Sequence, residues 1–433
     1  MSEMSTAGRA IPVLADSVRF TGDAVEILDR RVYPFERRWV RCATSEDVAV
    51  AIERMVTQSS GTLFAATAGM TLAGREVRHA GPGEAAELLR AAGRRLIATR
   101  PTNNHIRDAV RAILAATADG PLAEASGAEL AEAVAAEAAA HEARYHARSA
   151  ALGRNAATLL ADGARVLTHC WADAYLIATV RAAEDAGKRL SFVCTETRPY
   201  LQGARLTAAA LVEMGYRPTM ITDGMVAAAL ADGLADVALV AADRVTMDGH
   251  VVNKVGTLGV ALAAREFGVP FHALVQAPDP QAPKVEDVVI EHRDGDEVLH
   301  VLGVRSAAEG TTGYYPAFDA TPPRLVTRIV TERGVYEPSQ VARHFEEPGP
   351  SHDPEPHHST ALGADSVRAG TSPDSGPGHR LGSGEAPAAT SPDPEPGHRL
   401  GSGEAPAGTS PDPEPRSGPG TSPAGSSPSE QER

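Results

Sequence analysis

The chain is poor in cysteine, in long apolar runs and in clustered basic charge. Cys42, Cys170 and Cys194 are its only cysteines in 433 residues. An odd, sparse set argues against a disulfide framework and fits a reducing compartment, and its spacings match no zinc pattern, so we expect no metal. No stretch is long and apolar enough to span a bilayer, and the N-terminus lacks a basic segment followed by an apolar one. We therefore expect no membrane association and a cytoplasmic protein. Without a basic stripe, nucleic acid is not an expected partner.

From about Glu346 onward aromatic and β-branched residues all but vanish, and Pro, Gly, Ser, Glu and Ala dominate. Such a segment cannot bury enough apolar surface to offset its ordering entropy, so residues 346–433 read as a disordered tail. Gly378–Pro396 and Gly397–Pro415 are a tandem duplication that differs only at Ala389 against Gly408. Its units lack the apolar positions that a stacked repeat would bury. The tail holds 14 Asp or Glu and 5 Arg, so it carries −9 of the chain's −15. The remaining part, about 345 residues, is long enough for two domains with sizeable cores.

What is present falls into two patterns. Ala24–Asp29 alternates like a strand. From Ser45, read as a helix N-cap with acids in the first turn, helical periodicity runs to about residue 160, broken near Gly81-Pro82-Gly83 and Gly120-Pro121. Leu122–Leu160 is strongly helix-favouring. After Gly163 short apolar runs at 165–168, 190–194, 218–222, 237–241 and 271–275 alternate with helical segments. That alternation predicts a parallel, doubly wound α/β sheet. The division is 1–160, mainly helical, and 161–345, α/β.

Ligands bind such sheets at the carboxyl ends of the strands. Cys170, Glu196, Asp223 and Asp243 all stand just past an expected strand end. Cys170 precedes an expected helix at 172–186 and follows His169, a setting that stabilises a thiolate; the alternative is a buried structural cysteine, the better reading of Cys194. Asp243 follows the apolar run from Val237, where desolvation raises a carboxyl pKa and suits a general acid; the alternative is a salt bridge to Arg244. Gly249–Thr257 reads as a turn feeding a helix, with free N–H groups and Lys254 forming an anion site, or with Lys254 a solvated charge. Arg198, Gln202 and Arg205 sit in a loop, where arginine suits a phosphate. Arg100 is another loop arginine. The set suits proton transfer on a sugar phosphate.

These residues carry a resemblance. Glu196-Thr197-Arg198-Pro199 with Gln202–Thr207, Ala242-Asp243-Arg244 with Asn253–Thr257, Pro316–Asp319 with Thr321-Pro322-Pro323, Thr331–Val335 and Arg100-Pro101-Thr102 resemble the methylthioribose-1-phosphate isomerases. That family shares a superfamily with ribose-1,5-bisphosphate isomerase and the regulatory subunits of initiation factor 2B. The likeness runs from about Leu28 to Val341. It implies a helical N-terminal domain, a Rossmann-like C-terminal domain and a homodimer. It also implies an aldose–ketose isomerase of a pentose 1-phosphate working without metal or organic cofactor. Cys170 would be the catalytic thiol and Asp243 the catalytic acid. Gln202, Asn253 and Lys254 would contact substrate, and Arg100 would bind phosphate. The regulatory subunits generally lack the Cys and Asp pair, so its retention favours an enzyme.

Some positions depart from the family. Trp171-Ala172-Asp173 follows the cysteine where Asn and a small residue are usual. Gln58-Ser59-Ser60 aligns with a substrate-binding Arg-Gly-Ala. Ala241 replaces a glycine, and His105-Ile106 replaces Asn-Leu. Trp171 has two readings, a ring stacked on the sugar or a base, and a core filler. The expected substrate is 5-methylthioribose 1-phosphate. Ribose 1,5-bisphosphate and 5-deoxyribose 1-phosphate are alternatives, as is a non-catalytic protein that binds a sugar phosphate or nucleotide.

Overall fold

The computed structural model describes residues 10–100 and 104–346. The tail beyond Glu346, and Pro101 and Thr102 of the arginine loop, lie outside the described residues.

The chain begins with an antiparallel sheet, β1 (Val18–Thr21), β2 (Ala24–Leu28) and β3 (Trp39–Cys42), in that order. Five helices follow: α1 (Ser45–Glu53), α2 (Gly61–Glu76), α3 (Glu84–Ala98), α4 (Asn104–Ala116) and α5 (Gly127–Thr158). The first cap lies one residue upstream of the expected Ser45. Thr44 accepts from the Asp47 amide, and Asp47 reaches back to the Thr44 amide. Thr is as able a cap as Ser, and Asp47 supplies the returning carboxylate only at that register. Ser126 and Glu129 make the same box at the start of α5. On α3 the buried Ala85, Ala86, Leu89, Gly93 and Leu96 form one apolar stripe. α2 is buried almost all round, which its run of Ala, Gly and Thr allows.

The α/β part contains β4 (Arg165–Thr168), α6 (Asp173–Asp185), β5 (Ser191–Thr195), α7 (Ala208–Glu213), β6 (Thr219–Ile221), α8 (Val226–Ala231) and β7 (Val237–Ala241). It continues with β8 (Arg244–Val245), β9 (Val251–Lys254), α9 (Thr257–Glu266), β10 (Phe271–Leu274) and α10 (Asp296–Leu299). Last come β11 (His300–Val301), β12 (Val304–Arg305), β13 (Phe318–Thr321), β14 (Arg328–Val330) and β15 (Val335–Tyr336). The fold is a mixed α/β one built on a mainly parallel sheet. All five strands expected from the apolar runs form within a residue or two.

The main sheet has the order β15-β14-β10-β7-β4-β5-β6 and is parallel except for β15. The chain enters at β4, winds outward to β6, then returns to β7 on the other side. The order reverses between β4 and β7, the point at which such sheets bind ligands beyond the carboxyl ends of their strands. The Gly249–Thr257 turn is a correction. Val251–Lys254 is a strand, paired antiparallel with β8 and with β13. Its partner β13 lies far along the chain, so local pattern could not reveal the pairing.

Helix α5 lies close on α6. A side chain at Gly153 would come within 2.5 Å of the Ala178 backbone, so glycine is required there. This contact brings Tyr145 and Arg148 of α5 beside the ends of β7 and β10, where they share a pocket wall with Asp243 and Gln276.

Candidate active site

Cys170 follows β4 and Asp243 follows β7, so the two expected catalytic groups stand on the two strands that flank the reversal. Cys170 adopts a left-handed φ of +65°. Ser59 (+52°), Asp173 (+47°), Thr197 (+61°) and Leu201 (+66°) do the same nearby in the fold. Such conformations cost about 1–3 kcal/mol each and persist only where surrounding bonds enforce them. The bonds are visible here. The Cys170 amide donates to Thr197 Oγ1 at 2.9 Å, and Thr207 Oγ1 donates to the Cys170 carbonyl. Thr197 is fixed in turn by Asp223, whose carboxylate accepts from the Thr197 and Arg198 amides at 2.8 and 2.7 Å.

The expected stabilised thiolate is overturned. Burial pushes the Cys170 thiol up to about 12, against the pull of the Lys254 charge. His169 gives no help. It is fully buried, between Thr195 Oγ1 at 2.7 Å and the Val255 carbonyl at 3.0 Å. A carbonyl can only accept, so Nε2 carries the proton, and desolvation holds the ring below its ordinary pKa and neutral. His169 instead seats the β9–α9 turn. Gly256 has φ +106°, and a side chain there would come within 2.8 Å of the His169 ring.

Alkylation of Cys170 by iodoacetamide, followed by peptide mass spectrometry, should therefore rise about tenfold per pH unit up to pH 10. Cys42 and Cys194 are buried and should stay unmodified. A plateau near pH 7 would restore the stabilised thiolate.

Asp243 is exposed and lines a cavity, yet protein surrounds it closely enough for desolvation to raise its carboxyl pKa. Lys254, then Arg100 and Arg244, oppose that rise. The charge of Lys254 acts on both Cys170 and Asp243. Lys254 is itself buried, with Nζ 4.6 Å from the centre of the Phe318 ring. Asn253 is buried beside it and donates to Thr257 Oγ1 at 3.0 Å. Gln202 is buried, and its side-chain oxygen has no partner among the described residues. Arg100 is half-buried, and its charge is felt by Asp243.

The Gln58-Ser59-Ser60 triplet meets the loop after Cys170. Ser60 donates to Asp173 Oδ2 from its amide at 3.1 Å and its hydroxyl at 2.6 Å. Arg30, fully buried, donates to the Gln58 carbonyl at 2.6 Å and stands 3.6 Å from Asp173. The side-chain nitrogen of Gln58 is buried without a partner among the described residues, and Ser59 is exposed. Trp171 is core: it packs with Leu14, Leu28, Tyr33, Ile177 and Leu206.

Two further expectations fail. Arg198 and Arg205 are not phosphate ligands. Arg198 donates to the carbonyls of Pro199, His300 and Val298, and Arg205 to those of Tyr33, Tyr200, Arg30 and Arg31. Nor is the start of α9 free. Asp319 accepts from the Gly256 amide at 2.7 Å and the Leu258 amide at 3.1 Å, which fills the expected anion site with a protein carboxylate. Asp319 stood in the Pro-Ala-Phe-Asp motif, but only the β9–β13 pairing reveals what it caps.

Sequence reasoning also missed a cavity of about 310 Å³ beside Asp243, walled by Leu63, His105, His141, Tyr145, Tyr175 and Ala277 among others. A larger groove, about 760 Å³, opens at the amino ends of β10 and β14, away from these groups. Among the described residues no group of three or more His, Cys, Asp or Glu is arranged to hold a metal ion. Nor is any helix there long and apolar enough to cross a membrane.

The protein is a mixed α/β one that carries a thiol and a desolvated carboxyl at the reversal of its parallel sheet, both within the influence of one buried lysine. The chain belongs to the Initiation factor 2 subunit family, whose sequence pattern matches residues 42–338. It is 40% identical to a methylthioribose-1-phosphate isomerase of Pelotomaculum thermopropionicum, over 75% of this chain and 92% of that one. The solved 5-methylthioribose 1-phosphate isomerase of Pyrococcus horikoshii superposes with a TM-score of 0.71 at 29% identity, over 76% of this chain and 94% of the other. The delta subunit of translation initiation factor eIF-2B from A. fulgidus gives 0.67 at 32%, over 75% and 96%.

Proposed function

We propose that this chain isomerises 5-methylthioribose 1-phosphate to 5-methylthioribulose 1-phosphate, the reaction of methionine salvage, with Cys170 and Asp243 as its catalytic pair. The observation that carries the reading is the strained Cys170 beside Asp243 at the sheet reversal, with the Lys254 charge acting on both. The relatives' activity supports it.

The phosphoester blocks C1, so the ring cannot open as a free sugar does. Asp243 gives its proton to the ring oxygen, and the bond from C1 to that oxygen breaks while phosphate stays on C1. Cys170, as the thiolate, takes the proton from C2, and the electron pair forms the C1–C2 double bond. Return of a proton to C1 and loss of the 2-hydroxyl proton give the ketone. C2 is oxidised and C1 reduced within one molecule, so no external electron acceptor is required. Arg100 and Lys254 hold the phosphate. Gln202, Asn253 and the Gln58-Ser59-Ser60 turn bind the sugar. Gln202 and Gln58 support this, each with a buried polar atom that has no partner among the described residues.

Incubation with the 1-phosphate in D2O, followed by NMR, tests the reading. Ketose carrying solvent deuterium at C1 is the expected product. Deuterium at C1 would exclude a hydride shift from C2 to C1; ketose without deuterium would mean that the C2 hydrogen reaches C1 without exchange, by that shift or by return of the same proton from Cys170. No ketose at all would favour the second reading, a non-catalytic binder of a sugar phosphate, which the likeness to the A. fulgidus subunit supports.

We further propose that the helical segment to residue 160 and a Rossmann-like domain at 161–345 act as two domains, in a cytoplasmic homodimer. Val289, Leu302, Val304 and Tyr314, each more than half exposed, support an interface. Sedimentation at the monomer mass would remove it.

A further inference from the structure

Proton transfer to Cys170 requires the thiol to come within hydrogen-bond reach of C2, and a misplacement of about 1 Å costs about a hundredfold in rate. Under the proposed isomerase reading, on which this inference rests, thiol and sugar are held by three separate stretches of chain. These are the turn after β4, the Gln58-Ser59-Ser60 turn before α2, and the segment after β5 that carries Gln202. Their register must be fixed, and one buried residue touches or faces all three.

That residue is Arg30, two positions past β2 and fully buried. Its guanidinium donates to the Gln58 carbonyl at 2.6 Å and to Ser17 Oγ at 2.9 Å, and stands 3.6 Å from Asp173 Oδ2. A planar fork can reach several acceptors at once in this way, which an ammonium cannot. The Arg30 backbone is engaged as well. Its amide donates at 2.9 Å to the carbonyl of Val56, two residues before Gln58. Its carbonyl accepts from Arg205 at 2.7 Å and from the Tyr200 hydroxyl at 3.2 Å, on either side of Gln202. Room is kept for the guanidinium: a side chain at Gly61 would come within 2.8 Å of it.

Asp173 is the other half of the arrangement. It closes the turn that Cys170 opens, and both residues have left-handed φ, +47° and +65°. Trp171, between them, is anchored in the core. The Cys170 end is held by Thr197 and Thr207. The Asp173 end is held by its carboxylate, one oxygen of which accepts from the Ser60 amide at 3.1 Å and the Ser60 hydroxyl at 2.6 Å while facing Arg30. Neither side chain is open to solvent, at 0% exposed for Arg30 and 9% for Asp173, so salt screens this pair little. Removing one charge would leave the other buried and uncompensated, so Arg30, Asp173 and Ser60 act as a unit.

We propose that Arg30 and Asp173 are positioning residues that lock the Cys170 turn to the Gln58-Ser59-Ser60 turn, so that the thiol meets the sugar held there. Both act through Cys170 and Ser60 rather than on the sugar itself.

Asp173→Asn, Ser60→Ala and the double variant Arg30→Gln with Asp173→Asn should be compared with the unsubstituted full chain. Ser60→Ala removes only the hydroxyl and keeps the amide donor, so it decides the matter even where loss of a buried charge prevents folding. The double variant removes both charges together. Turnover and calorimetric affinity are measured with 5-methylthioribose 1-phosphate, stability by urea unfolding, and exposure of the thiol by iodoacetamide alkylation of Cys170 at pH 8. In each variant kcat should fall at least about tenfold while affinity stays within about threefold. The double variant should fall no more than about twofold below Asp173→Asn, since the two residues act as one. Alkylation should move the opposite way. A loosened turn admits water to the thiol, relieves the desolvation that keeps it protonated, and should raise the rate at least about threefold. Cys42 and Cys194, both buried, are the internal controls. A merely structural cluster would lower the urea midpoint and leave alkylation of the folded protein unchanged. That result, or turnover and alkylation of Ser60→Ala both within about twofold of the parent, would overturn the assignment. Faster alkylation in the variants of a parent that forms no ketose would keep the lock and remove the isomerase reading instead.

Discussion

Cys170→Ser is expected to lower kcat about a thousandfold or more while leaving the affinity for the sugar 1-phosphate little changed. Proton transfer by one positioned group contributes ~10²–10⁴ in rate, and a serine hydroxyl is several pKa units less acidic than a thiol, so the variant retains almost none of it. The affinity should survive because serine keeps the two backbone bonds that fix this loop, from the Cys170 amide to Thr197 and from Thr207 to its carbonyl. Single-turnover NMR for chemistry, with calorimetry for binding, separates the two quantities. A variant within tenfold of the parent would remove Cys170 from the reaction. One that loses binding and turnover together would show that the left-handed turn had collapsed, which circular dichroism and urea unfolding would reveal independently.

The strands of the sheet were legible because parallel strands buried on both faces must be continuous apolar runs, as Val237–Ala241 is. The position of Cys170 and Asp243 followed from the rule for strand ends, and the sheet order sharpened it by putting both at the reversal. What stayed hidden depends on contacts between distant segments. Asp319 caps α9 only because β13 pairs with β9. Arg205 looks like a phosphate ligand until the segment after β2 arrives and spends its donors on the carbonyls of Arg30 and Tyr33. The thiol pKa was misjudged for the same reason. A helix start and a neighbouring histidine predict a thiolate, but tertiary burial reverses the sign, and the histidine's bonds go to Thr195 and Val255. Gln58 and Trp171 were legible as departures. Only the fold shows that one leaves a buried nitrogen unpaired among the described residues and the other fills core.

Asp243→Asn should cost about 10²–10⁴ in kcat/KM and should also change the shape of the pH profile. Asparagine has nearly the same size but no proton to give to the ring oxygen. In the unsubstituted chain two groups titrate in the free enzyme: Asp243, raised from the ordinary carboxyl range, and Cys170, at about 12. The productive form has a protonated Asp243 and a thiolate at Cys170. Because Cys170 titrates above Asp243, that form is a minor tautomer of the state in which Asp243 is ionised and the thiol is protonated, and both carry the same number of protons. Its population therefore rises as pH increases through the Asp243 pKa, stays level, and falls only as pH approaches 12. The acid limb of kcat/KM thus belongs to Asp243, although Asp243 acts as an acid. In Asp243→Asn that limb should vanish, leaving a rate that climbs toward 12 with the thiolate alone. The substrate phosphate also titrates near neutral pH, but its limb is common to both proteins and cancels in their ratio. An acid limb that persists unchanged in the ratio-corrected profile would assign it to another group, and Asp319, raised by burial to about 6 while it caps α9 beside Lys254, would be the first to replace.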